Sequence, residues 1–439
     1  LIDTKDIRFF NQRSEIFNAI AFPLLHLFVL FMMYKLLYFL SLAGHIADLS
    51  QFKQWDSFWY ASIAENGYQY SHTEASNSGF FPLFPYMWKL LWKITGSGVK
   101  GICILNLVIF LLGMLMLKEA FKFPWSYFML FLSIPSNFFM YVPYTEAAFF
   151  FFSAVMLAGL KKNNRWMILT GLFFSSLTRP TALFFIPAII CMEIFSFENF
   201  KKFFRNIFIG SMVSLLGVLV VTLWQWKATG VWFAYFKAQT LFWKRDVQVP
   251  AIPFTTWDGP RMLWLDGLAL FFGLLAAGIL LVLLIRLLRK KDMLTGDKAV
   301  FFSLCYVLMA AVSVTFFNGR DDQGTTSLYG ANRYVFSNPF FILMLLFLMS
   351  LVNFEKDIFI TYILLALSTV LLFRTHDTWF VNYDNKDRFY YCFLVFLGAF
   401  MYLLLCMRDK EKFIPMVYLM NVFAQIYILN QFASGRWVG

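Results

Sequence analysis

The chain has 439 residues, 60% of them hydrophobic and only 14% charged, with 58 phenylalanines and a mean hydropathy of +0.66. Soluble domains are nearer half apolar and a quarter charged, and no soluble globule of this size has an interior for so much apolar surface. The excess runs along the whole length, which excludes a secreted domain behind a signal and a soluble protein on one anchor. The net charge of +12 would suggest nucleic acid in a soluble protein. In a polytopic membrane protein it follows from basic loops on the cytoplasmic side.

In chain order, apolar runs lie at 17–42, 101–117, 124–142, 145–160, 166–178, 182–195, 206–226, 263–285, 299–317, 336–354, 358–373, 389–406 and 413–431. Several fall short of the ~20 residues that cross a bilayer as a helix. The runs 166–178 and 182–195, parted by Arg179-Pro180, read as two tilted helices or one broken pair. Residues 1–439 form a single integral-membrane domain on this reading.

Short basic turns such as Lys161-Lys162-Asn163-Asn164-Arg165 and Arg289-Lys290-Lys291 put the N-terminus and those turns in the cytoplasm. Length gathers on the other face, in loops 43–100, 227–262, 318–335 and 374–388. Long loops on a compact scaffold are where binding and chemistry concentrate. Cys103, Cys191, Cys305, Cys392 and Cys406 all fall in apolar runs without disulfide or zinc spacing and read as small core residues. The chain has no Asn-x-Ser/Thr sequon, which favours a bacterial inner membrane over the ER.

The sharpest local signal is in the first long loop. Trp55, Phe58, Trp59 and Ser62 recur at helical spacing as an aromatic stripe suited to a membrane interface, with Asp56 off the stripe near the helix start. Two roles are open to Asp56: a carboxylate reaching the polar group of a lipid-anchored substrate, or a cap accepting backbone N–H bonds.

Trp55-Asp56, then Ile63-Ala64-Glu65-Asn66-Gly67-Tyr68, then Phe80-Phe81-Pro82-Leu83-Phe84-Pro85 resembles the PIG-V family, whose namesake adds the second mannose of GPI anchors. Further matches are Pro143-Tyr144-Thr145-Glu146, Ser176-Leu177-Thr178-Arg179-Pro180, Ala238-Gln239, Trp243-Lys244-Arg245 and Asn332-Arg333-Tyr334. After Gly67-Tyr68 the family's acidic residue is replaced by Ser71-His72-Thr73-Glu74, and Arg179 is followed by Pro180-Thr181-Ala182.

The resemblance implies a GT-C glycosyltransferase: an all-α bundle of roughly 11–13 transmembrane helices with an essential carboxylate in the first outer loop. It implies a polyprenyl-phosphate-sugar donor, mannose by analogy, and a glycolipid, glycan or protein acceptor. Asp56 becomes the candidate base, with Trp55 beside it. Arg179, Arg245 and Arg333 become candidates for the donor phosphate, with Lys244 behind them, because a guanidinium can donate two parallel hydrogen bonds to phosphate. An arginine at membrane depth such as Arg179 is a functional candidate, or snorkels, or pairs with Glu146. Glu146 either orients a basic residue or the acceptor, or caps the helix that starts there.

Glu65, His72, Glu74 and Gln239 complete the candidate set; His72 is either an acid/base or phosphate contact or a solvated loop residue. A metal site from Asp56, His72 and Glu74 would lack any recognised ligand spacing, so neither metal nor cofactor is expected. The competing classes are a lipid or glycan transporter and a non-catalytic subunit of a membrane complex. A transporter should show interrupted helices in two related halves, and none are seen.

Overall fold

The computed structural model describes residues 4–44, 47–180, 182–243, 245–251, 254–256, 260–317, 326–351 and 385–439. The run 358–373, residues 318–325 and 374–384 of two long loops, and Lys244 lie outside the described residues. The described chain is helical, and its one β feature is an isolated bridge between Thr255 and Ser327.

The helices are α1 (Thr4–Phe39), α2 (Asp56–Asn66), α3 (Leu83–Thr95), α4 (Val99–Phe121), α5 (Trp125–Leu132), α6 (Glu146–Lys162), α7 (Arg165–Thr178) and α8 (Ala182–Phe195). They continue as α9 (Phe200–Thr229), α10 (Ala234–Trp243), α11 (Pro260–Leu288), α12 (Lys298–Phe317), α13 (Ala331–Phe336), α14 (Pro339–Ser350), α15 (Asn385–Leu404) and α16 (Ile414–Ala433). Among the described residues five segments are long and apolar enough to cross a membrane: Ser14–Phe39 of α1, α4, α9, Met262–Leu288 of α11, and α12. With the composition, this makes the chain an integral membrane protein of all-helical fold.

The run 124–142 is not one membrane helix. It forms the eight-residue α5, then a 3-10 turn over Pro135–Met140, and is buried almost throughout. Pro135 offers no backbone donor to continue α5, and hydropathy alone does not separate a helix facing lipid from a segment buried in protein. The runs 166–178 and 182–195 are two helices. Arg179 takes extended backbone between them (φ −150°, ψ 155°), as a residue preceding proline favours.

Burial grades from lipid inward. Phe200, Phe204, Phe208 and Met212 form an exposed apolar stripe on α9, and most apolar side chains of α1 are exposed. By contrast α6, α12 and α14 are nearly enclosed, around a cluster of Phe149, Phe185, Tyr306 and Phe340 rings. Water supplies little drive for helices to associate within a bilayer, so contact rests on close packing and polar links. A Cβ on Gly171 of α7 would lie 2.6 Å from the Met156 backbone nitrogen of α6. Polar links join α1 and α16: Tyr34 Oη donates to Asn430 Oδ1 at 3.1 Å, and the ring nitrogens of His26 meet Tyr418 Oη at 3.1 Å and, from the turn before α6, Tyr141 Oη at 3.3 Å.

Ion pairs join the basic turns at one end of the bundle: Glu15 with Lys118 (3.0 Å), Lys161 with Asp297 (2.6 Å) and Glu198 with Lys298 (3.6 Å). The long loops pair with each other instead. Gln225 at the end of α9 donates to the carbonyls of Ser78 (2.9 Å) and Phe80 (3.1 Å) and accepts from the Tyr235 backbone (3.0 Å).

Replacing Gly171 with Val should force α6 and α7 apart at a cost of about 1–3 kcal/mol. Thermal unfolding of the purified protein in detergent should show a lower midpoint, and an unchanged midpoint would contradict this packing.

Candidate functional site

Asp56 is the first residue of α2, and the residue before it carries the strain. Trp55 sits at φ 52°, ψ −116°, a region that bulky side chains rarely occupy. Its ring packs edge-on against Trp437, with centroids 5.3 Å apart. The aromatic stripe divides: Trp55 and Phe58 are exposed, whereas Trp59 turns inward against Phe80 and Trp243. No side-chain capping bond is made at the start of α2. The Asp56 carboxylate instead accepts a 2.7 Å hydrogen bond from Arg333 Nη1, so pairing, rather than capping, is its role in the fold.

Three segments bring the charges together. Glu146, fully buried at the start of α6, accepts from Arg179 Nη1 at 2.8 Å and also from Arg333 Nε. Arg179 comes from the break between α7 and α8, and Arg333 from the short α13. Both carboxylates stand in the first turn of a helix, at the positive end of its dipole. Aromatic faces cover the cations: Arg333 lies 4.6 Å from the Tyr144 centroid and Arg179 4.8 Å from that of Tyr334. Asp56, Glu146, Arg179 and Arg333 therefore form one continuous network.

Asp266 holds α13 in place. Buried on α11, it accepts from the Asn332 backbone (2.9 Å), from Asn332 Nδ2 (2.7 Å) and from Thr256 Oγ1 (2.8 Å). Asn332 in turn accepts from Ser136 Oγ at 3.0 Å, fixing the residue next to Arg333 from two sides.

The first loop is folded onto this frame by its polar residues. Asn77 Nδ2 donates to the Gly67 carbonyl (3.0 Å) and to Ser62 Oγ (3.1 Å), and Tyr68 Oη donates to the Phe80 carbonyl (2.9 Å). Gly67 ends α2 at φ +77°, and a Cβ on Gly79 would lie 2.6 Å from the Trp243 ring. Gln239 Nε2 donates to the Gly79 carbonyl at 2.9 Å, bringing α10 against the loop.

These elements enclose a pocket of ≈ 90 Å³. Asp56, Arg179, Arg333, Gln239 and Arg245 line it, as do Tyr329, Tyr334 and Trp437. Arg245 differs from the other two arginines. It has no carboxylate partner among the described residues; Nη1 donates to Tyr334 Oη at 3.4 Å, while Nε is buried with no partner. Gln239 Oε1 and Trp437 Nε1 are likewise buried and unpartnered. A buried polar atom without a partner costs about 1–3 kcal/mol, so three at one pocket mark it as unfinished until something polar enters. Burial raises the Tyr334 phenol, but Arg245, Arg179 and Arg333 outweigh burial and bring it down to about 8.

Of the candidates in the sequence, Trp55, Asp56, Glu146, Arg179, Gln239, Arg245 and Arg333 all lie in this region of the fold. Glu65, His72 and Glu74 are exposed and do not line the pocket; His72 packs edge-on against Tyr70. Among the described residues no group of three or more His, Cys, Asp or Glu side chains is close enough to hold a metal ion. Asp266 and Trp437 were not foreseen. An acid inside an apolar run is a signal that could have exposed Asp266, whereas nothing local marks Trp437.

No protein-family model matches the chain, and no curated protein matches it. It is similar to a solved structure, ArnT from Cupriavidus metallidurans bound to undecaprenyl phosphate, with a TM-score of 0.49 and 13% identity over 95% of this chain and 77% of that one.

Glu146→Gln should leave two buried guanidiniums against a neutral amide, at about 3–5 kcal/mol. Thermal unfolding in detergent is expected to show a large drop in midpoint, and wild-type stability would contradict the bridging role.

Proposed function

We propose that the chain is a PIG-V-like membrane glycosyltransferase of GT-C type, moving a sugar from a polyprenyl-phosphate donor to an acceptor hydroxyl with inversion. The observation that carries this reading is one pocket that joins an ionisable carboxylate, Asp56, to an arginine without a carboxylate partner among the described residues, Arg245. Glycosyl transfer from a phosphate needs both: a group that takes a proton from the attacking hydroxyl and a fixed cation that receives the leaving phosphate.

In this mechanism the acceptor oxygen attacks the anomeric carbon as its proton passes to the Asp56 carboxylate. The bond from that carbon to the phosphate oxygen breaks, its electron pair leaves with the phosphate, and configuration inverts. Positive charge develops on the sugar in the transition state, as in other glycosidic chemistry, and the nearby carboxylate stabilises it. Arg333 orients Asp56, Glu146 holds Arg333 and Arg179, and Arg245 takes the departing phosphate through its fork of donors. Mannose is the sugar by the resemblance in the first loop. The active face is extracytoplasmic, the basic turns are cytoplasmic, and the membrane is a bacterial inner membrane.

Radiolabelled polyprenyl-phosphate-mannose should give a labelled product in membranes of a strain that lacks the protein and is supplemented with wild type. Asp56→Asn, which keeps an acceptor for Arg333, should lower that rate about 100-fold or more at matched expression. Equal rates for the two would remove Asp56 from the chemistry.

A further inference from the structure

A second cavity lies at the basic end of the bundle, between α7, α8 and α9, and at ≈ 310 Å³ it is larger than the first at ≈ 90 Å³. One wall is apolar, made by Ile168, Leu172, Ile189, Met192 and Ile209. Its polar side carries Arg165, Lys202, Arg205 and Lys298 from the starts of α7, α9 and α12.

Two carboxylates, Glu193 and Glu198, share this lining. Glu198 pairs with Lys202 at 2.5 Å and with Lys298 at 3.6 Å, and both oxygens of Glu193 lie 3.2 Å from Asn206 Nδ2. Among the described residues Arg165 and Arg205 make no direct ion pair, although Glu193 attracts Arg205, and four cations against two carboxylates leave the lining net positive. Trp166, beside Arg165, is 80% exposed, and Phe204, beside Arg205, is 63% exposed. Aromatic side chains at this level suit the boundary between headgroups and acyl chains.

We propose that this cavity binds an anionic phospholipid, with its phosphate on Arg165 and Arg205 and part of an acyl chain along the Ile168–Ile209 wall. A soluble anion would use the guanidiniums but leave the apolar wall unfilled, and a neutral lipid would leave the cations unanswered. The site is separate from the Asp56 pocket, with which it shares no lining residue, and it does not depend on the reaction proposed there.

The test is native mass spectrometry of the protein released from nanodiscs of equimolar phosphatidylglycerol and phosphatidylcholine. Wild type should retain phosphatidylglycerol over phosphatidylcholine, and R165Q/R205Q should lower that preference about 30-fold, as two lost lipid-facing charges imply. R289Q/K290Q removes two charges from another basic turn and should leave the preference intact. Equal retention of the two lipids by wild type would overturn the proposal, as would an equal loss in both double variants. Displacement of the lipid by excess inorganic phosphate would assign the site to a free anion and overturn it as well.

Discussion

Two buried guanidiniums share one buried carboxylate, and the arrangement of the whole site follows from that. Removing Glu146, Arg179 and Arg333 from water costs several kcal/mol for each ion, and mutual attraction offsets this only with close, hydrogen-bonded geometry. The geometry requires α6 to start at Glu146, the chain to break at Arg179-Pro180, and α13 to be held by Asp266 beneath Arg333. Each local feature depends on the others, because a misplaced partner would leave an isolated charge in an apolar bundle. Asp56 is the one member at the edge, its side chain 19% exposed, and Arg333 links it to the buried part.

The site is uneven in how far its hydrogen bonding is satisfied. Around Glu146 the charges are matched and covered by aromatic rings, which gives a rigid base. Toward Arg245, Gln239 and Trp437, buried polar atoms have no partner. Rigid support on one side and unmet donors and acceptors on the other are what a preorganised site needs before its ligand arrives. The strained Trp55 stands where the two sides meet, directly before Asp56 and against Trp437. Strain held at such a point is maintained by the packing around it.

Much of this was legible in the sequence, and for definite reasons. The membrane class followed from composition, and Asp56 stood out as a carboxylate among interfacial aromatics. Glu146 and Arg179 stood out as charges bordering apolar runs. Hydropathy misled at 124–142, where the residues are apolar because protein surrounds them rather than lipid. Glu65, His72 and Glu74 had the right chemistry in the right loop, but Asn77 and Tyr68 fold that loop so that they remain outside. Trp437 was beyond reach, since its contact with Trp55 joins positions at opposite ends of the chain. Asp266 could have been suspected as an acid within an apolar run, but its partner Asn332 is brought to it only by the fold.

Arg333 joins the buried network to Asp56 as one unit, and a double-mutant cycle tests that coupling most directly. Sugar transfer would be measured for wild type, Asp56→Asn, Arg333→Lys and the double variant at matched expression. Groups that act as a unit are strongly non-additive, so the double variant should be hardly slower than Asp56→Asn alone. If the two losses multiply instead, Asp56 and Arg333 act independently and the account of the site is wrong.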